Sequence, residues 1–181
     1  MDIELKPFER SDFARLVEWS TSPEFLLQWA GSLFKYPLDE AQLEEHVRGA
    51  KGDEPTRKIF KVVDKASHAA IGHIELGNIN PRNRSAGIMH ALIGDPALRG
   101  QGIGAQMIRR VLEIGFDELG LHRIDLRVFD FNRAAIACYE KVGFVREGLY
   151  REVTRINDEY WSIYVMSILE WEWQSRGLRK D

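Results

Sequence analysis

Among its 181 residues the chain has one cysteine, Cys138. A lone thiol cannot close an internal disulfide, and it excludes a zinc site built from clustered cysteines. This usage fits a reducing, cytoplasmic compartment. Long apolar runs are also missing. The longest nearly apolar stretch, Ile163 to Leu169, falls far short of the ~20 residues that cross a bilayer and fits a buried strand. The opening Met1-Asp2-Ile3-Glu4-Leu5-Lys6 lacks the basic segment and apolar run of a targeting signal. Nor is there an excess of positive charge: 25 Lys and Arg against 28 Asp and Glu leave a net charge of −3. No global field draws such a chain to nucleic acid or to an anionic membrane. Repeats and low-complexity linkers are absent, so residues 1–181 are expected to form a single domain.

What is present is an ordinary globular composition, 44% apolar and 29% charged, on a chain long enough to bury a sizeable core. Alternation predicts a strand over 3–9, and Ser11 is placed to cap a helix carrying Phe13, Leu16 and Val17 on one face. Residues 21–38 read as irregular but aromatic, with Phe25, Trp29, Phe34 and Tyr36. Asp39 is placed to cap the next helix, and Gly52, Asp53 and Pro55 interrupt the chain. Strands are expected near 57–64, 69–78 and 86–94, a strongly periodic helix over 102–119, a strand over 123–129 and a helix over 133–142. Two last strands, 145–156 and 160–170, turn at Asn157-Asp158. Hairpins mixed with βαβ crossovers predict an α+β fold, a mixed sheet of about seven strands flanked by four helices.

The most informative segment is Asp95-Pro96-Ala97-Leu98-Arg99-Gly100-Gln101-Gly102-Ile103-Gly104, between a strand and an amphipathic helix. Glycine lets backbone approach a ligand, and the free N–H groups of a helix's first turn, at its positive end, suit a pyrophosphate. No Lys-Ser or Lys-Thr follows, which excludes a Walker loop, and the glycine spacing is wrong for a dinucleotide fingerprint.

Arg99, Gly102 and Gly104 resemble the Gln/Arg-x-x-Gly-x-Gly/Ala motif of the GNAT superfamily of acyl-CoA-dependent N-acyltransferases. Downstream, Asn132-Arg133-Ala134-Ala135-Ile136-Ala137-Cys138-Tyr139-Glu140-Lys141-Val142-Gly143-Phe144 resembles that family's second motif. The segments Gly143 to Gly148 and Tyr164 to Leu169 resemble the branch that acetylates ribosomal-protein N-termini, together with its small-molecule relatives.

The resemblance implies direct acetyl transfer from acetyl-CoA to a primary amine, either a small molecule or a protein N-terminus. It calls for no metal and admits a homodimer, while the charge balance and the short apolar runs argue against a nucleic-acid or membrane partner. It implies that the donor is held by Leu92, Ile93 and Gly94 at a strand bulge, by the turn Arg99, Gly100, Gln101, Gly102, Ile103, Gly104 and Ala105, and by Asn132 and Tyr139. Tyr139 would protonate the leaving thiolate. The strand glutamate that some relatives use as base is replaced by Arg127. Glu75 is preferred as base ahead of His73, His90 and Asp125. Trp29, Phe34 and Tyr36 are expected to shape the acceptor entrance, near the last hairpin with Tyr160 and Trp161. The contrasting reading is an acyl-CoA-binding regulatory domain without catalysis.

Overall fold

The computed structural model describes residues 1–50 and 55–175, so the expected interruption at Gly52 and Asp53 and the end of the proposed domain lie outside the described residues. Its strands are β1 (Ile3–Pro7), β2 (Lys58–Asp64), β3 (Ala70–Asn80), β4 (Ser85–Ile93), β5 (Arg123–Phe129), β6 (Val145–Ile156) and β7 (Glu159–Leu169). They make one sheet in the order β1-β2-β3-β4-β5-β7-β6. All pairings are antiparallel except β4 with β5.

Among the described residues six α-helices flank it: α1 (Phe13–Trp19), α2 (Pro23–Ala30), α3 (Glu40–Arg48), α4 (Ile103–Leu112), α5 (Arg133–Val142) and α6 (Glu170–Ser175). The period-2 alternation of β3 decides what lies on each face. Ile74 and Leu76 join Ile103, Met107, Val111, Ile136 and Trp173 in a core under α4, α5 and α6. The opposite face is covered by α1, α2 and α3, whose Phe13, Leu16, Leu26 and Leu43 pack with Phe34 and with Leu92 of β4. His73 and Glu75, at alternate positions to Ile74 and Leu76, point toward this second layer, where polar side chains are costly unless paired.

The mixed seven-stranded fold is as expected, with two helices more than the four read from sequence. The segment read as irregular contains α2. Ser22 Oγ accepts from Phe25 N at 3.1 Å, and Pro23 sits in the first turn, where its missing N–H leaves no bond unmade. The aromatics Phe25 and Trp29 hid the buried pair Leu26 and Ala30, four residues apart. The second addition, α6, follows β7 with no intervening turn, and its Glu170-Trp171-Glu172-Trp173 alternation has the period of a strand. The first helix also starts differently. A 3₁₀ turn over Arg10–Asp12 precedes α1, and Asp12 Oδ2, not Ser11, takes the Glu9 N–H at 2.8 Å. The helix expected over 102–119 is α4 continued by a wider π turn over Glu113–Glu118.

Candidate active site

The parallel ladder joining β4 to β5 runs only from Ser85 opposite Arg123 to Ile88 opposite Leu126. Beyond it the strands separate. β5 stays bonded to β7 as far as Phe129 opposite Ile163. β4 bends away because it carries a bulge. Its pairing with β3 slips between Glu75–Met89 and His73–Leu92, and His90 there adopts a φ of +51°. The sequence reading put this bulge at Leu92 to Gly94; it lies at His90 and Ala91.

The result is a wedge edged by the backbone of Met89 to Ile93. Gly94 N donates to Ile71 O at 3.0 Å, so Ile93 forms a non-hydrogen-bonded pair with Gly72. The N–H and C=O of Ile93 therefore face the wedge, and Arg99 Nη2 donates to that carbonyl at 3.2 Å. Leu92 faces the other way, its side chain buried in the second core. The Gly94 N–H is spent on Ile71. Its Cα lies flat on Trp19, where an added β-carbon would come within 2.0 Å of the ring.

After β4, Asp95 Oδ1 accepts from Ala97 N at 2.8 Å and Gln101 Nε2 donates to Ala97 O at 2.9 Å, which fixes the turn. Gly100 and Gly102 have φ of +77° and +80°, and nothing lies within 4 Å of a β-carbon built on either. The first helical bond is Gln106 N to Gly102 O at 3.2 Å. The N–H groups of Ile103, Gly104 and Ala105 thus have no intrahelical partner and face the open cradle. The side chains of Ile103 and Ala105 are buried. This donor set and this open space fit a pyrophosphate.

The second motif lies alongside. A β-carbon on Gly104 would stand 3.4 Å from Cys138 Sγ and 3.9 Å from Ile93 Cδ1, so β4, α4 and α5 converge here. Asn132 Oδ1 caps α5 by accepting from Ala135 N at 3.2 Å. Tyr139 packs against the larger core with its ring 6.0 Å from that of Phe144. Its hydroxyl has no partner among the described residues. Burial, then the neighbouring Cys138, pushes the phenol well up, which keeps its proton in place. Burial also raises the Cys138 thiol, against the pull of Lys141 and Arg109, so it is no activated nucleophile.

Behind the bulge Glu75 Oε1 is surrounded by imidazoles: His46 Nε2 at 2.6 Å, His90 Nδ1 at 3.0 Å and His73 Nε2 at 3.2 Å. Burial alone would raise this carboxyl; hydrogen bonds from the His46 and His73 rings, with His90 close beside them, outweigh it and hold Glu75 well below its ordinary range. His46 is held from behind by Arg57 Nη1 at 3.0 Å. Neither His46 nor Arg57 was picked out from sequence. Their only signal is the need of a buried carboxylate for donors from neighbouring elements.

Trp29 and Phe34 reach this cluster. Trp29 Nε1 donates to the bulge carbonyl, His90 O, at 2.8 Å, and its ring stands edge-on to His73 at 5.7 Å. Phe34 meets His46 edge-on at 5.3 Å. Tyr36 stands apart, 47% exposed, with its hydroxyl 3.5 Å from Thr21 O. At the open end of β5, Phe131 stacks on Phe129, and Trp161 meets both rings edge-on. Trp161 also lines a cavity of about 330 Å³ shared with Glu24, Asp158 and Glu159. These three carboxylates, from α2 and the β6–β7 turn, were not singled out from sequence.

A parted pair of parallel strands, a glycine cradle at the head of the next helix and a tyrosine on the helix beyond define an acyl-CoA-dependent transferase. The chain matches the acetyltransferase (GNAT) domain over residues 2–145, and it belongs to that family. It is an N-acetyltransferase with acetyl-CoA as cosubstrate. It is 32% identical over 174 residues to the spermidine N(1)-acetyltransferase of Vibrio cholerae, covering 96% of each chain. The V. cholerae spermidine N-acetyltransferase solved in complex with CoA and spermine superposes with a TM-score of 0.82 at 31% identity, over 95% of this chain and 98% of that one. A putative ribosomal N-acetyltransferase of Bacillus subtilis is 29% identical over 103 residues only, 57% of this chain and 55% of that one. The ribosomal branch read from the tail is thus not specifically supported.

Proposed function

We propose that the chain acetylates a polyamine or a similar polycationic amine. The observation that carries this acceptor is the cavity bounded by Glu24, Asp158, Glu159 and Trp161, whose indole meets Phe129 of β5 edge-on at 5.1 Å. Carboxylates beside an indole suit an alkylammonium, through charge and through the face of the ring. Similarity to the spermidine acetyltransferase along nearly the whole chain supports the same reading.

In this reading Ile93 N–H and the turn from Arg99 to Ala105 hold the donor. Asn132 fixes the start of α5, and Tyr139 gives its proton to the departing sulfur. Glu75, preferred as base from the sequence, is 1% exposed and enclosed by three imidazoles, so it acts through them. Trp29 and Phe34 wall the acceptor side, and Tyr36 stands at its outer rim. The reading includes a cytoplasmic setting, supported by the unpaired Cys138. It also includes a homodimer, supported by apolar side chains left exposed on β6, such as Leu149, Tyr150 and Val153.

The test is CoA-thiol release with acetyl-CoA and a panel of spermidine, spermine, monoamines and N-terminal peptides. Turnover on polyamines well above that on monoamines is expected, with loss on Glu24→Gln combined with Glu159→Gln. Preference for peptide N-termini would move the assignment to the ribosomal branch. Donor binding without transfer to any amine would support the regulatory reading.

A further inference from the structure

The cluster behind the bulge can be resolved proton by proton. A guanidinium has donors only, so Arg57 at 3.0 Å makes His46 Nδ1 an acceptor. His46 is then neutral with its proton on Nε2, and that proton goes to Glu75 Oε1 at 2.6 Å. His73 Nε2 can only donate to the same carboxylate, at 3.2 Å, which leaves its buried Nδ1 as a bare lone pair. Burial, against the pull of Glu75, lowers the His73 ring and keeps it neutral.

His90 completes the set differently. Its Nδ1 is buried 3.0 Å from Glu75 Oε1, close but out of line for a hydrogen bond in this structure. Its side chain is 14% exposed, and Nε2 is the one imidazole nitrogen of the cluster that is neither bonded nor buried. His46, Glu75 and His90 also bring ligand atoms within 4.8 Å of one another, close enough to surround a cation. Arg57 argues against that use. A metal on His46 Nε2 needs its lone pair, which moves the proton to Nδ1, facing a guanidinium.

We infer that His90 is the general base of acetyl transfer, with Nε2 taking a proton from the acceptor ammonium, and that Glu75 and His46 position it. The inference rests on the N-acetyltransferase reading and assigns a residue within it. The geometry is that of a carboxylate behind an imidazole with its far nitrogen open to substrate. His90 sits on the bulge itself, so the residue that parts β4 from β5 also carries the base to the wedge. The ammonium gives one proton to Nε2, and the freed amine forms a C–N bond to the thioester carbon. The C–S bond then breaks, and the sulfur takes the Tyr139 proton. The second nitrogen proton, released as the amide forms, restores the phenol through water. The charged or titratable groups facing His90 are Glu75 and His73 from β3 and His46 from α3, with Arg57 behind. The new imidazolium is balanced by Glu75.

The test uses His90→Asn, because asparagine tolerates the left-handed backbone. At neutral pH kcat/KM for the amine is expected to fall about 10²–10⁴-fold. Calorimetric affinity for acetyl-CoA should be unchanged, and the acidic limb of the pH profile should flatten. Added imidazole should restore turnover to His90→Gly. Glu75→Gln, which removes the negative charge behind the ring, should move the acidic limb to lower pH. A wild-type rate and profile in His90→Asn, or an unmoved limb in Glu75→Gln, would overturn the inference. Lost acetyl-CoA affinity in both variants would mark the cluster as structural and overturn it too. No transfer by the wild-type chain would overturn the parent reading with it.

Discussion

Gly102 offers a clean test of the donor site, because asparagine and aspartate there differ by a charge and little else. Its backbone sits at φ +80° and ψ 0°, and nothing stands within 4 Å of an added β-carbon. Either side chain therefore fits without a clash. Each costs about 1–2 kcal/mol at most for the left-handed backbone, less because Asn and Asp tolerate it best. This stability loss is shared, so it cancels when the two variants are compared. The charge does not cancel. Two unit charges about 4 Å apart repel by about 1 kcal/mol in water and about 4 kcal/mol at an effective dielectric of about 20. The turn is exposed, so the lower half of that range applies. Gly102→Asp should bind acetyl-CoA about 5- to 60-fold more weakly than Gly102→Asn, since each ~1.4 kcal/mol is tenfold. Titration calorimetry at low ionic strength measures the gap, which should narrow near 1 M salt as the Debye length falls to about 3 Å. Equal affinities at low salt would show that no phosphate approaches this turn.

Tyr139→Phe keeps the packing with Phe144, 6.0 Å between centroids, and removes the proton donor. Turnover should drop about 10²–10⁴-fold with donor affinity intact, and stopped-flow rates equal to wild type would return Tyr139 to a packing role. Gly94→Ala forces a methyl to within 2.0 Å of Trp19 Cε2 and should cost about 1–3 kcal/mol. A melting temperature within a degree of wild type would contradict this, and Gly94→Ala with Trp19→Leu should recover part of the loss. Acid should destabilise the fold in two stages, because Glu75 and His73 both bind fewer protons folded than unfolded. The His73 contribution is complete above its ordinary 6.5 and fades as pH falls below it. The Glu75 contribution is complete above 4.5 and is lost as pH falls through the depressed folded value. Urea midpoints that stay flat from pH 7 to pH 4 would refute the buried cluster as drawn.

Much of this was legible in the chain because local rules carried it. Ile103, Met107, Ile108 and Val111 announce α4 by period alone, and Asn132 with Gly143 brackets α5. The glycine turn was legible because its chemistry is backbone chemistry, written in the residues that lack side chains. The cluster was only half legible. His73 and Glu75 share a strand face by simple alternation, and His90 was within view, but His46 and Arg57 arrive from elements far away in sequence. Nothing local ties them to β3. The bulge was misplaced for a related reason: it is a property of the β3–β4 register, which a single strand does not reveal. Asp158 reads from the sequence as a turn residue, nothing local marks Glu24 or Glu159, and the three become a set only around the cavity they share.

Where β4 and β5 part, the sheet becomes two plates joined along a short seam, β1 to β4 on one side and β5, β7 and β6 on the other. Ile93 holds out a donor and an acceptor at the open edge of one plate. A donor molecule whose arm contains amides, laid in that gap, would continue the ladder instead of merely filling a hole. Acetyl-CoA would then serve as a temporary strand, and the protein would be mechanically whole only while loaded. At a concentration 100 times its Kd, such a ligand adds about 2.7 kcal/mol to the stability of the fold. Each release of CoA would take that reinforcement away and leave the plates free to flex, so stiffness would rise and fall once per turnover.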